Sequence, residues 1–188
     1  RSSAGTKVHL ISVLARRGTR AGVPALLAEA GGSDIETVRA AFQALGRIAT
    51  GDDLPALVER LASLKVADAR VDAERAAARA MAKTAETRQG SDTVRAALRQ
   101  SSNVETRCSL LRLLPHAAGE DSLAVLKAGL EDKEPRIRDA AVRSLAAWPD
   151  ATGWNTLLLV LRRPENEAHR ALALRALARL AADLNAKP

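Results

Sequence analysis

The sequence predicts an all-α solenoid, a stack of antiparallel helix pairs. Hydrophobic residues make up 47% of the 188 residues and aromatic residues only 2%. The apolar content is therefore mostly alanine, leucine and valine, which suits closely packed helices better than sheets. Segments with apolar residues at helical spacing recur along the chain, with a shorter apolar segment between neighbours. Because one helix pair cannot bury its apolar faces alone, we expect the pairs to stack into a continuous core.

Six longer helices are predicted around a recurring leucine or methionine, which we call the anchor. Small or apolar residues lie three and four positions before each anchor and complete an amphipathic stripe. The anchors are Leu14, Leu45, Met81, Leu114, Leu145 and Leu177, spaced 31 to 36 residues apart. Pro115 directly follows an anchor, so we expect it to kink or end that helix.

Five shorter helices are predicted between the anchor helices, over residues 24–30, 54–64, 92–98, 122–130 and 154–161. Pro24 and Pro55 suit a first helical turn. Ser91, Asp121 and Thr152 are predicted N-caps or near-caps. Turn residues are predicted between the helices. They include Gly31, Gly51, Gly90, Gly119, Pro149 and Pro164.

This register gives one domain, residues 1–188, with a half repeat followed by five full repeats. The half repeat spans 6–17, and the full repeats lie near 20–50, 53–89, 91–118, 120–148 and 152–184. The first segment has the pattern of a second helix without its first. Since solenoid ends normally carry polar caps, we expect the chain to be a fragment of a longer protein.

One segment carries a family resemblance. Residues 130–148, LEDKEPRIRDAAVRSLAAW, resemble the HEAT-repeat consensus, in which an acidic-proline turn leads into Val-Arg-x-Ala-Ala-x-x-Ala-Leu. The matching positions are Glu134, Pro135, Ile137, Arg138, Ala140, Ala141 and Leu145. The resemblance, to the HEAT or PBS-lyase-like family, implies a right-handed α-α superhelix of about five and a half helix pairs.

The resemblance also implies a structural role for three arginines. In the family, the arginine at the position of Arg138 usually pairs with an acidic group near the turn. Arg107 and Arg170 likewise lie seven residues before an anchor. Residues 107–180 are also similar to HEAT segments of large multidomain exported bacterial proteins, which leaves cytoplasmic and exported locations open.

Basic residues concentrate at the positions two before and two after each anchor, which share one helix face. These twelve places hold eight lysines or arginines, one histidine and no acid. The predicted binding residues are Arg16, Arg47, Arg79, Lys83, Arg112, His116, Arg143, Arg175 and Arg179. Arg39 and Arg75 extend this stripe, and Asp139 interrupts it. Because the second helices of HEAT repeats line the concave side, the resemblance implies a basic concave surface.

The chain, with a net charge of +7, is therefore predicted to be a monomeric, non-catalytic scaffold that binds an acidic partner. That partner is an acidic protein, a glycan or a neighbouring domain of the same chain. One alternative is nonspecific binding to nucleic-acid phosphates, although few aromatic side chains are available for base stacking. A second is a HEAT-like enzyme such as a DNA glycosylase, for which Asp139 lacks an aromatic partner. A purely solvated arginine face is the remaining interpretation.

No cofactor or metal site is predicted, since the three histidines fall in different repeats without metal-binding spacing. Cys108 is predicted to be a small packing residue. Trp148 and Trp154, which flank a turn, are predicted to pack at a repeat junction. No stretch reaches the ~18–20 apolar residues needed for a membrane span.

Overall fold

The computed structural model describes residues 4–83 and 87–185. The regular elements within these residues are α-helices and short 3₁₀ turns, as the predicted all-α fold requires. The helices are α1 (Ala4–Arg17), α2 (Val23–Ala30), α3 (Ile35–Ile48), α4 (Leu54–Ala62), α5 (Arg70–Ala82), α6 (Thr87–Gln100), α7 (Val104–Leu113), α8 (Glu120–Leu130), α9 (Pro135–Ala146), α10 (Trp154–Arg162) and α11 (Glu167–Asn185).

The chain divides into two compact units, unit 1 at residues 1–100 and unit 2 at residues 101–188. The division falls inside the repeat predicted at 91–118, between its two helices α6 and α7. A single domain over the whole chain therefore stays a prediction, and each unit is described by itself.

In unit 1, the anchor helices α1, α3 and α5 pack side by side in one layer. The intervening helices α2, α4 and α6 form the second layer, and α2 and α4 pack against α3 and α5, respectively. Helix α6, predicted to be short, has 14 residues. Phe42, Leu45, Leu57 and Leu61 are fully buried between the layers. The arrangement is the one expected from helices that each carry one apolar stripe.

In unit 2, the anchor helices α7, α9 and α11 form one layer, while α8 packs on α9 and α10 packs on α11. Leu110, Leu126, Ile137 and Leu145 are completely buried. Trp148 is also buried, and its Nε1 donates to Thr152 Oγ1 at 2.9 Å and Asp150 Oδ1 at 3.2 Å. The prediction that Trp148 packs at a junction is confirmed.

The anchor register is confirmed by burial in five of the six anchor helices. Leu45, Met81, Leu114, Leu145 and Leu177 are all buried. The first anchor, Leu14, is half-buried on α1. The helical period therefore located most core-facing positions, but Leu10, four before the first anchor, and Leu174, three before the last, are 53% and 50% exposed.

Two proline predictions are confirmed, whereas one turn prediction and one N-cap prediction are wrong. Pro24 and Pro55 lie in the first turns of α2 and α4. Gly90 and Ser91, predicted at a turn and an N-cap, lie inside α6. The physical reason is close packing, since a Cβ at Gly90 would lie 3.2 Å from Met81 Cγ. Glycine therefore lets α6 approach the Met81 side chain.

The ends of the unit 2 helices refine the remaining predictions. Helix α7 ends before Pro115, which lies in a 3₁₀ turn, as its missing N–H predicts. Asp121 lies in the first turn of α8 rather than at its N-cap, which is Gly119. Thr152 lies in a 3₁₀ turn whose cap is Asp150, and the Asp150 side chain accepts from the Thr152 N–H.

Candidate functional site

Among the described residues, the part of the predicted basic face without acidic lining residues lies on unit 1. Arg16 on α1 and Arg47 on α3 are exposed and line one surface hollow of about 230 Å³. Ser12 and Gln43, which occupy the equivalent repeat positions one turn earlier, line the same hollow. The described residues that line it include no acid. The hollow therefore presents two guanidinium groups beside neutral polar side chains.

Arg79 continues this face onto α5, where it is exposed. Its side chain lies against Gly46 of α3. A Cβ added at Gly46 would lie 3.5 Å from Arg79 Nη1 and 3.6 Å from Arg79 Cδ. The glycine leaves room for the arginine stem to lie along the neighbouring helix. Arg79 thereby joins the α3 and α5 parts of the face.

Lys83 has a structural role that the sequence pattern did not predict. Its Nζ donates to the carbonyl oxygens of Ala49 at 2.9 Å and Arg47 at 3.2 Å. These carbonyls lie at the C-terminal end of α3, where a cation complements the helix dipole. The Lys83 charge stays on the face, but its position is fixed by the preceding repeat.

Arg179 makes the equivalent contact in unit 2. Its Nη2 donates to the carbonyl oxygens of Trp148 at 2.5 Å and Ala146 at 3.4 Å, at the end of α9. Lys83 and Arg179 both lie two residues after an anchor. In these two repeats the basic residue caps the anchor helix one repeat earlier.

Arg112, Arg143 and Arg175 are exposed on α7, α9 and α11 of unit 2. Arg143 Nε donates to Asp139 Oδ2 at 2.8 Å, and His169 Nε2 lies 3.2 Å from Asp139 Oδ1. Partial burial raises the pKa of Asp139, but the hydrogen bonds from Arg143 and His169 outweigh it and lower that pKa. Asp139 is therefore charged and offsets the charge of Arg143, so Asp139 interrupts the basic stripe as predicted.

His116 contributes little charge to this face. It remains exposed in the 3₁₀ turn after α7, yet the neighbouring protein removes part of its hydration and lowers its pKa. Its imidazole is therefore neutral at pH 7.

The structural role that the resemblance implied for Arg107, Arg138 and Arg170 is confirmed for Arg107 and Arg138, whereas Arg170 forms only an exposed pair within its own helix. Arg107 Nη2 lies 2.7 Å from Asp132 Oδ2. Arg138 pairs with Glu165, and its Nη1 also donates to the backbone carbonyls near the turn, those of residues 132 and 133. Arg170 pairs with an acid of its own helix, Glu167, at 3.4 Å.

Arg39, predicted to extend the binding face of unit 1, is engaged by an acid of the next repeat. Arg39 Nε lies 2.9 Å from Asp72 Oδ2, and Gln43 Nε2 donates to Asp72 Oδ1 at 3.3 Å. The Asp72 side chain is only 6% exposed, so this pair joins two repeats. Arg39 is accordingly a structural residue rather than a free cation of the face.

A cavity of about 430 Å³ in unit 2 brings Cys108, Asp139 and His169 together beside Arg112. Cys108 Sγ donates to the Arg136 carbonyl oxygen at 3.3 Å, and burial raises the pKa of this thiol. The cysteine is therefore a protonated packing residue at neutral pH. The His169 ring is directed to Asp139 rather than paired with the thiol.

His169 is the polar residue that sequence reasoning missed. Its side chain is 2% exposed and lies between Asp139 and Glu165. It lies near the start of α11, eight residues before an anchor, outside the positions that the repeat pattern highlights. The burial of His169 therefore depends on the packing of α11 against α9, which the repeat pattern alone does not specify.

In the part of the chain that the structure describes, the histidine, cysteine and acidic side chains form no cluster of three or more suited to a metal ion. Across residues 4–83 and 87–185, every helix is too short or too polar to span a bilayer.

Part of the chain is similar to a known family of helical repeats, and the whole chain is similar in fold to a solved structure. The HEAT-repeat family matches residues 91–178. The crystal structure of an engineered protein, a Northeast Structural Genomics Consortium target, is 18% identical with a TM-score of 0.50, over 96% of this chain and 92% of that chain. No curated protein matches the chain significantly. The α-solenoid fold is thus confirmed, and residues 91–178 are similar to HEAT repeats, which are generally protein-interaction scaffolds.

Proposed function

We propose that the protein is a non-catalytic interaction module whose basic face binds an acidic protein surface. The observation that carries the proposal is the hollow on unit 1 shared by Arg16 and Arg47. Two guanidinium groups beside Ser12 and Gln43 offer several N–H donors to one carboxylate. An aspartate or glutamate side chain of a partner protein fits this donor set.

The remaining unit 1 cations strengthen the same face. Arg79 and Lys83 are exposed, and Lys83 keeps its charge while it caps α3. Because Arg79 lies against Gly46 and Lys83 is held by two carbonyls, both cations lose little freedom on binding. Fixed cations around the hollow raise the local positive potential and steer an acidic partner toward it.

In unit 2 the corresponding face contributes more weakly. Arg112, Arg175 and Arg179 are exposed cations, but Asp139 offsets Arg143 and His116 is neutral at pH 7. We therefore expect charge reversal on unit 1 to weaken binding more than charge reversal on unit 2.

Binding of a fluorescein-labelled, glutamate-rich peptide to the full chain, followed by fluorescence anisotropy, tests the proposal. We expect Arg16→Glu with Arg47→Glu to weaken binding at least about tenfold, because each lost guanidinium–carboxylate contact removes a charge-assisted hydrogen bond. Arg112→Glu with Arg175→Glu should have a smaller effect. Helical circular dichroism should be the same in all variants.

The matched control is Lys65→Glu with Arg99→Glu, which makes the same change in net charge at exposed residues outside the face. If this control weakens the peptide as much as the Arg16 and Arg47 variant does, binding depends on net charge alone and the proposal is wrong. Tighter binding of a labelled DNA duplex than of the peptide, with the steep salt dependence of phosphate contacts, would instead support the nucleic-acid alternative.

A further inference from the structure

A second surface of unit 2 combines an apolar groove with a basic rim, between the intervening helices α8 and α10 and above the anchor helix α9. The groove encloses about 620 Å³ between α8 and α10. Its apolar residues are Leu130, Val142, Leu159 and Val160. We call it the Leu159 groove. Its volume lies within the range of about 300–1,000 Å³ typical of binding pockets.

The groove arises because the intervening helices α8 and α10 stay apart. In unit 1, α4 and α6 pack directly against each other. In unit 2, α8 and α10 make little direct contact, although each packs on its own anchor helix. The space between them is lined by side chains of both helices. The described part of unit 2 leaves this apolar space open to solvent.

Leu159 is the side chain best placed to bind a partner. It is 59% exposed, whereas Val142 and Val160 in the floor of the groove are 3% and 7% exposed. A leucine this exposed at the edge of an apolar groove adds apolar surface that a partner can cover. Thr156, 1% exposed, closes the floor. The groove thus has a buried floor and one protruding apolar wall.

The rim is predominantly basic. Lys127, Arg162 and Arg163 are exposed around the groove. Arg138 and Glu165 also line it, but they pair with each other. Glu131 is the remaining acid among the lining residues. Three cations therefore face one carboxylate, which complements an occupant with acidic residues.

We propose that the Leu159 groove binds an amphipathic, acidic segment of a partner protein, with leucine-like side chains inserted between α8 and α10. Apolar residues at i, i+3, i+4 and i+7 of a helical segment would present such a row. Its acidic residues would then meet the rim cations. This docking site is separate from the basic anchor-helix face, and its occupancy does not depend on that face.

The probe is a fluorescein-labelled helical peptide of about 14 residues, with leucines at i, i+3, i+4 and i+7 and glutamates elsewhere. Anisotropy is measured with the full chain and its variants. We expect Leu159→Gln to weaken binding about tenfold or more, as loss of a buried leucine contact requires. Arg162→Glu with Arg163→Glu should weaken binding of the peptide by more than added salt weakens its binding to the wild-type chain.

The matched control is Leu10→Gln, since Leu10 on α1 is 53% exposed and lies outside the groove. It should leave binding unchanged. A peptide with alanine in place of leucine should lose binding to the groove. Any residual binding of that alanine peptide should disappear in Arg16→Glu with Arg47→Glu, which separates the two faces.

Several outcomes would overturn the proposal. One is binding of the leucine peptide that Leu159→Gln leaves unchanged, and another is equal binding of the leucine and alanine peptides. A third is a peptide with lysines in place of glutamates that binds as tightly. Sedimentation of the wild-type chain as a dimer that Leu159→Gln dissociates would show that a second copy occupies the groove instead.

Discussion

At the residue scale, Gly153 is required because Trp148 lies against it. A Cβ at Gly153 would lie 2.7 Å from Trp148 Cδ1 and 3.0 Å from Cγ. The backbone there, with φ −75° and ψ −12°, accepts any residue, so the constraint is steric. We expect Gly153→Ala to lower the free energy of unfolding by about 1–3 kcal/mol, the usual cost of overpacking. Urea unfolding followed by circular dichroism measures this change.

The matched control for that prediction is Gly5→Ala. Gly5 lies in α1, and a Cβ added there would have no neighbouring atom within 4 Å. Alanine there should be neutral or stabilising by up to about 1 kcal/mol, because it removes the entropic cost of glycine in a helix. Equal losses at both positions would contradict the steric explanation.

At the element scale, the end of an anchor helix is stabilised by a cation from the next repeat. Lys83 caps α3 and Arg179 caps α9 through backbone carbonyls. We expect Lys83→Met and Arg179→Met, which keep an apolar stem, each to lower the free energy of unfolding by about 1 kcal/mol. Thermal and urea unfolding of the single variants measure it.

Arg175→Met is the control, because Arg175 is exposed on α11 without a hydrogen bond or ion pair to the described residues. Its substitution should change stability by no more than about 0.5 kcal/mol. A loss equal to that of Arg179→Met would show that the general positive charge, rather than the cap, stabilises the helices.

At the scale of the whole molecule, stability should fall in acid in two steps. The pKa of His116 is lowered from 6.5, so the unfolded chain binds its proton first and stability declines as the pH falls below 6.5. The pKa values of Asp34, Asp132 and Asp139 are lowered from 3.8, so their stabilisation is complete above about pH 5 and is lost as the pH falls through 3.8 and below.

The causes of these shifts identify the variants that test them. The Glu134 backbone N–H lowers the pKa of Asp132 most, and the Arg107 guanidinium lowers it further against partial burial. We expect Asp132→Asn to reduce the loss of stability below about pH 5, and His116→Gln to remove the decline that begins as the pH falls below 6.5. Urea unfolding across roughly pH 3 to 8 measures both. A wild-type stability that rises on acidification would contradict the sign.

The sequence by itself determined the order of the helices, the anchor register and most of the core-facing positions. Helical period and capping chemistry depend on neighbouring residues, so Leu45, Leu145 and the first-turn prolines could be identified locally. The same locality explains the basic stripe, since residues four apart share a helix face wherever the helix lies. The turn prediction at Gly90 was wrong because that glycine serves close packing against Met81, which is a contact between two helices.

Only the tertiary structure determined the contacts of the charged side chains and the cavities between the helices. It showed that Lys83 and Arg179 cap the preceding repeat, that Arg39 is paired with an acid of the next repeat, and that Arg16 and Arg47 line one hollow. It also left α8 and α10 apart to form the Leu159 groove. Partners about one repeat apart along the chain become neighbours only when the helices pack. Pairing and cavities are therefore properties of the fold, whereas the face on which a charge lies follows from the local helical period.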